Sequence, residues 1–244
     1  MLGSSRVRFS CGSFCVRGRV LAALFVCGAA ANVALAQPIS FSGPFNLPVG
    51  SKPEAIVVAD FNGDNVLDLA VANGGSNSVS ILLGNPDGSF QDPVDYAVGT
   101  YPWFITVADL NGDNIRDLVV SNRDSQDVML LFGVGDGTFV NSGSISFEGN
   151  PFSTVVNDFT SGGVQDLVVS NTFSAFYLSG NGNGSFGMPA ELLGPNARFV
   201  ATADFNGDGI PDLAITNARG VDSISILLGT GRGTFELVGN FAVG

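Results

Sequence analysis

Asp60, Asn62, Asp64 and Asp68 fall within nine residues, and the same spacing returns at Asp109, Asn111, Asp113, Asp117 and at Asp204, Asn206, Asp208, Asp212. Unpaired carboxylates this close repel one another, and ordering them costs free energy. A hard divalent cation removes that repulsion. Calcium takes about six to eight oxygens from carboxylates, amides, backbone carbonyls and water. Positions 1, 3, 5 and 9 of each loop offer side-chain oxygens, and the carbonyls of Val66, Ile115 and Ile210 at position 7 offer one more. Gly63 gives the loop freedom to fold round an ion. Magnesium fits less well, because it prefers fewer protein ligands and a rigid octahedron. An EF-hand would need Glu at position 12 and flanking helices, but Val71, Val120 and Ile215 stand there. An Asx-rich turn would use the same residue types for turn geometry alone; three copies of one spacing favour about three Ca²⁺ sites.

A fourth, worn copy runs from Asp158 to Asp166. Thr160 replaces its Asn and Gly162 its middle Asp, so only Asp158 and Asp166 remain for a weak or empty site. Other chemistry is narrowly bounded. The chain has no histidine, and its three cysteines (Cys11, Cys15, Cys27) lie near the N-terminus. His-dependent triads, and zinc sites built on His or on Cys downstream of residue 36, are therefore absent. A carboxylate pair can hydrolyse glycosides, but nearly all clustered carboxylates are taken up by the loops. No catalytic residue is assigned, and the expectation is a non-enzymatic protein.

The four loops start 49, 49 and 46 residues apart, a period that means a repeat architecture. Each loop follows an apolar run (Ala55 to Ala59 in the first unit) and feeds another (Leu67 to Ala72). Ser78 to Leu83 and Ser89 to Val98 read as third and fourth strands between Gly- and Asx-rich turns. A second marker closes each unit: Gly84-x-x-x-Gly88-Ser-Phe90, then Gly133 to Phe139, Gly180 to Phe186 and Gly229 to Phe235. Its Phe is expected between adjacent blades. Four short strands per unit predict an all-β chain, a β-propeller-type array of four four-stranded blades. The units are 51–99, 100–149, 150–194 and 195–244. Residues 38–50 align with 90–99 as an extra closing strand, which favours an open arc over a four-bladed ring. Open edges invite self-association.

Residues 1–36 read as a secretory signal peptide: Arg6, Arg8, Arg17 and Arg19 precede an apolar run from Val20 to Ala31, and Ala34-Leu35-Ala36 is the cleavage site. The mature domain, 37–244, has no cysteine. It keeps six basic against 22 acidic residues, a formal charge of about −16. That charge argues against nucleic acid or an anionic membrane as partner. No later segment is long enough to span a bilayer. Secretion to the extracellular space or cell surface is expected.

The alternation of Asp-x-Asn-Gly-Asp-x-x-x-Asp loops with Gly-x-Gly-x-Phe turns resembles the FG-GAP, or VCBS, repeats of integrin α-subunits and many bacterial secreted proteins. The resemblance covers the mature chain. It implies Ca²⁺ sites between the first and second strands of each blade, and ligand binding on the opposite face. Integrin-type propellers close with seven blades, whereas this chain has sequence for four.

The opposite face carries the connections between blades, which differ at one equivalent position: Glu54, Trp103, Phe152 and Arg198. Tyr101 and Trp103, the single tryptophan, are the leading contact candidates, because aromatics are enriched at binding hot spots. Packing of Trp103 between blades is the alternative. The sequence thus predicts a module that binds a protein or glycan, with an architectural spacer as the competing role. Exposure of Tyr101, Trp103 and Arg198 together would favour recognition.

Overall fold

The computed structural model describes residues 46–193, 197–217 and 222–243. The signal peptide and most of the extra closing strand lie outside these. Residues 46–50, the described part of that strand, form no strand.

Among the described residues every regular element is a strand. The first sheet is β1 (Pro53–Ala59), β2 (Asp68–Asn73), β3 (Ser78–Leu82) and β4 (Val94–Ala97). The second is β5 (Pro102–Ala108), β6 (Asp117–Asn122), β7 (Asp127–Gly133) and β8 (Phe139–Ser146). The third is β9 (Pro151–Asn157), β10 (Asp166–Asn171), β11 (Ala175–Leu178) and β12 (Ala190–Leu193). The fourth is β13 (Ala197–Ala203), β14 (Asp212–Asn217), β15 (Ser223–Gly229) and β16 (Phe235–Ala242). Within each sheet the strands follow chain order and pair antiparallel. These are the four blades expected. The fourth strand of the first blade is shorter than its apolar run suggested, because Phe90 makes only an isolated bridge to Gly84.

The middle strands explain the continuous apolar runs. β6 and β10 are buried along their whole length, so both faces of each sheet are covered by neighbours. β1 packs beside β5, β5 beside β9 and β9 beside β13. One apolar core fills each junction. Phe61 and Ile81 meet Leu118 and Phe139 in the first, and Leu110 and Val128 meet Leu167 and Leu178 in the second. Phe159 and Val168 meet Leu213 and Leu227 in the third. Among the described residues the series does not return from the fourth blade to the first. Ile56 and Val58 on β1 are 58% and 50% exposed, and Phe199 on β13 is 42% exposed. The blades form an open arc.

Candidate metal centre and opposite face

Each acidic loop joins the last pair of the first two strands: Ala59↔Asp68, Ala108↔Asp117, Asn157↔Asp166 and Ala203↔Asp212. Within the first loop Asp60 Oδ1 accepts the Gly63 amide (2.7 Å) and Oδ2 the Asn65 amide (2.8 Å). Asp64 Oδ1 accepts the Val66 amide (2.8 Å), and Asn62 Nδ2 donates to Asp64 Oδ2 (3.0 Å). The loops at 109 and 204 repeat these bonds. The first and fifth loop positions therefore anchor the turn, and the third and fifth side chains are tied together on its exposed rim.

The ninth position does something the sequence reading did not anticipate. Asp68 is fully buried. Its Oδ2 accepts the Phe61 amide (2.8 Å) and its Oδ1 the Gly84 amide (2.7 Å). Asp117 takes Leu110 and Gly133, Asp166 takes Phe159 and Gly180, and Asp212 takes Phe205 and Gly229, all within 3.0 Å. This carboxylate clasps the loop to the turn after the third strand. The two sequence markers are thus one device. A Cβ on Gly84 would lie 2.3 Å from the Leu67 carbonyl oxygen, and the same clash recurs at Gly133, Gly180 and Gly229. The first glycine of the second marker is there for that close approach.

The worn loop keeps what the clasp requires. Asp158 accepts the Gly163 (2.6 Å) and Gly162 (3.1 Å) amides, and Asp166 is clasped like its counterparts. Burial pushes the Asp158 carboxyl up, but these amides and Thr160 outweigh it and hold it below its ordinary value. The same balance lowers Asp60, and backbone amides led by Gly209 lower Asp204. Burial raises Asp117 and Asp166. Burial, with the charges of Asp166 and Asp158, pushes the Tyr177 phenol up to about 12.

The donor set of the three intact loops is all oxygen, and it is rich in charge on the exposed rim. That chemistry suits a hard cation. The loops also hold themselves closed by hydrogen bonds, and among the described residues no group of three or more acidic side chains is arranged to hold a metal ion.

At the other end of the first strands the pairing slips once per blade. The register jumps between Pro53 and Ala55, between Pro102 and Phe104, and between Ala197 and Phe199; in the third blade Phe152 is passed over. The residues left out are Glu54, Trp103, Phe152 and Arg198. A β-bulge re-aims the side chain it carries, so all four candidates share one local device. Tyr101 and Trp103 come together, stacked at 6.4 Å. The Arg123 guanidinium lies 4.5 Å from the Tyr101 ring centre and 5.4 Å from that of Trp103. Lys52 approaches Tyr101 at 5.9 Å, and the Tyr101 hydroxyl donates to Glu54 Oε1 (2.7 Å). Arg198 lies 4.6 Å over the Phe152 ring. All four candidates except Glu54, which is exposed, are half-buried, as is Tyr101. This lies between the two outcomes set out from the sequence. Arg123 was hidden in a turn whose other residues vary. The Asn closing every second strand (Asn73, Asn122, Asn171, Asn217) was legible as a repeat, and it is buried at Asn73, Asn122 and Asn171.

The sequence matches the FG-GAP-like repeat over residues 60–120, 109–169 and 158–215, each match spanning two successive loops. The chain belongs to the FG-GAP-like repeat family. No curated protein matches it in sequence. Its fold is similar to that of a Lactobacillus plantarum protein, with a TM-score of 0.61, 10% identity, and coverage of 81% of this chain and 57% of that one. A Desulfotomaculum acetoxidans protein described as functionally unknown gives 0.58 and 17%, covering 80% and 59%. An Agrocybe aegerita lectin that recognises non-reducing terminal N-acetylglucosamine gives 0.54 and 19%, covering 75% and 50%. The FG-GAP-like chain thus spans between half and three-fifths of the length of these structures.

Proposed function

We propose that this FG-GAP-like chain is a secreted, calcium-stabilised binding module. It takes a protein or glycan on the face that carries Tyr101, Trp103, Phe152 and Arg198. The observation that carries this reading is the bulge repeated at Glu54, Trp103, Phe152 and Arg198. The backbone presents these positions alike, while the side chains differ from blade to blade. A scaffold that varies only what it presents suits recognition. Tyr101 adds a second sign. It stacks on Trp103 at 6.4 Å beside the Arg123 guanidinium, in a left-handed turn that its first-blade counterpart Lys52 shares.

Calcium would be held by Asp60, Asn62, Asp64, the Val66 carbonyl and Asp68, and by the matching residues of the loops at 109 and 204. The ion would neutralise the rim carboxylates and stiffen the first two strands of three blades. The comparison of loops supports this. Positions 1 and 9 persist even in the worn copy because the turn and the clasp need them. The worn loop closes on Asp158 without the Asn and Asp of positions 3 and 5, yet three loops keep both.

The non-catalytic reading has its own support. The cleft of about 700 Å³ between the first two blades is lined by a single carboxylate, Asp60, alongside Arg116. No acid pair of the kind glycoside hydrolysis uses faces into it. Binding is tested by screening the purified protein against arrayed glycans and extracellular matrix proteins. A ligand bound by the native protein and lost on Trp103→Ala, with melting unchanged, supports the reading. Retention of every ligand by that variant refutes the assignment of this face.

A further inference from the structure

Every cation–ring contact among the described residues lies on the face of the bulges. The Arg123 guanidinium covers Tyr101 and Trp103, Lys52 approaches Tyr101, and Arg198 covers Phe152. The first of these clusters is held in place by its own hydrogen bonds. The Tyr101 amide donates to Asn77 Oδ1 (2.9 Å) and its hydroxyl to Glu54 Oε1 (2.7 Å). The ring lies so near Gly74 that a Cβ there would be 3.1 Å from it. The Arg123 amide donates to the Tyr101 carbonyl (2.9 Å), and Arg123 Nε donates to Asp124 Oδ1 (2.8 Å). That bond uses Nε alone. Among the described residues the Arg123–Asp124 pair is the one ion pair, so Lys52 and Arg198 have no carboxylate partner there.

The chain is short of cations, with six basic against 22 acidic residues after residue 36. Three of the six gather here, over rings rather than beside carboxylates. Two carboxylates touch the Tyr101 cluster, and both are engaged, Glu54 by the Tyr101 hydroxyl and Asp124 by Arg123 Nε. The acidic loops are remote. Trp103 and Asp109 stand at the two ends of β5, about 20 Å apart at about 3.3 Å per residue. The Debye length at physiological ionic strength is about 8 Å, so the loop charges are largely screened at this face. The local balance, not the net charge of the chain, decides what it attracts.

We infer that this face takes an acidic polysaccharide, with a sugar carboxylate held by Arg123 and Lys52 while the sugar ring packs on the exposed parts of Tyr101 and Trp103. The inference rests on the binding reading above and narrows it to one ligand class. A guanidinium fork matches a carboxylate, and the Arg123 Nη groups donate to no protein acceptor among the described residues. A pyranose ring has an apolar C–H face that suits an aromatic side chain, and its hydroxyls can donate to Glu54 and Asp124. An acidic peptide brings carboxylates without those hydroxyls, so Glu54 and Asp124 would repel it. Nucleic acid needs more phosphate contacts than three cations supply, whereas a uronate polymer carries at most one carboxylate per sugar. The Phe152–Arg198 pair repeats the ring beneath a guanidinium on the third and fourth blades, where a polymer can reach both pairs and a single sugar cannot. Because the side chains are already held, little ordering remains to be lost on binding.

The test is calorimetric titration of the protein with uronate oligosaccharides (fragments of oxidised cellulose, alginate and hyaluronan), each beside its carboxyl-reduced form. Reduction turns the carboxylate into a hydroxymethyl group and leaves the rest of the sugar alone. At least one acidic fragment is expected to bind. Its reduced form should bind about tenfold more weakly or worse, the scale of one lost charge-assisted hydrogen bond. Arg123→Gln should bring the acidic fragment down to the level of the reduced one, with melting unchanged. Lys52→Gln repeats the test at an exposed side chain outside that turn, with a smaller loss expected. Equal binding of a fragment and its reduced form, lost in Trp103→Ala, would overturn the acidic class and leave the binding face standing. Acidic binding untouched in both charge variants, or no fragment bound, would also overturn the proposal; the array screen with Trp103→Ala decides separately whether the face binds anything else.

Discussion

Asp68, Asp117, Asp166 and Asp212 each accept two backbone amides from buried positions. A hydrogen bond to a charged acceptor contributes about 1.5–3 kcal/mol. Asp166→Asn turns one acceptor into a donor facing an amide. It should lower stability by about that amount whether or not calcium is present, as urea unfolding would show. Asp64→Asn should behave differently, leaving calcium-free stability within about 0.5 kcal/mol and weakening the calcium response. Asp158 gives a pH signature. Its carboxyl is held below its ordinary value in the folded chain. It therefore stabilises the fold above the unfolded-state pKa, and that contribution is lost as pH falls through the folded value. Melting followed from about pH 6 down to about pH 2 should fall less steeply below about pH 4 in Asp158→Asn than in the wild type. Identical acid limbs would remove Asp158 from the account. The residue scale is also where the sequence was least legible. A carboxylate that clasps amides and one that ligates a cation are the same residue at the same spacing, so only the buried geometry of Asp68 reveals the clasp.

Blades were legible because their punctuation is chemical: an Asp loop that must turn, and a glycine that must admit a carbonyl. Gly133→Ala would bring a Cβ to 2.4 Å from the Arg116 carbonyl oxygen. It should cost about 1–3 kcal/mol, the usual scale of overpacking. The marker phenylalanines separate position from motif. Phe139 is buried between Phe61 and Tyr96, at 5.4 and 5.7 Å, and Phe139→Ala should cost about 3–5 kcal/mol. Phe90 has the same place in its repeat but faces the open end of the arc, so Phe90→Ala should cost well under half as much in monomeric protein. Equal costs, measured by chemical denaturation, would contradict the one-sided junctions. Fourth strands were harder to delimit. They form the outer edge of each blade and are mostly exposed, as along β8 and β16, so no buried alternation marks their ends. The bulges at Trp103 and its equivalents were invisible for another reason: a register slip leaves the residue types of a strand unchanged.

At the scale of the whole chain, the FG-GAP-like repeats build four blades on three junction cores, with acidic loops on one side and the bulged positions on the other. The repeat period made the architecture readable. The openness of the arc was read from the extra closing strand at 38–50, and among the described residues exposed Ile56 and Phe205 give it physical form. The acidic composition is a property of this scale too: concentrating carboxylates on one side is unfavourable self-repulsion unless counter-charge is supplied. Calcium is the counter-charge proposed, and thermal unfolding with calcium titrated in after chelation tests it most directly. A ligand bound only by the native state adds about 2.7 kcal/mol per site at a hundred times its Kd. For a domain of this size each kcal/mol raises the melting temperature by about 2–4 °C. The account predicts a rise of many degrees with calcium, a smaller one with magnesium, and a reduced one in Asp64→Asn. An unchanged melting temperature would contradict it and leave the loops as hydrogen-bonded turns.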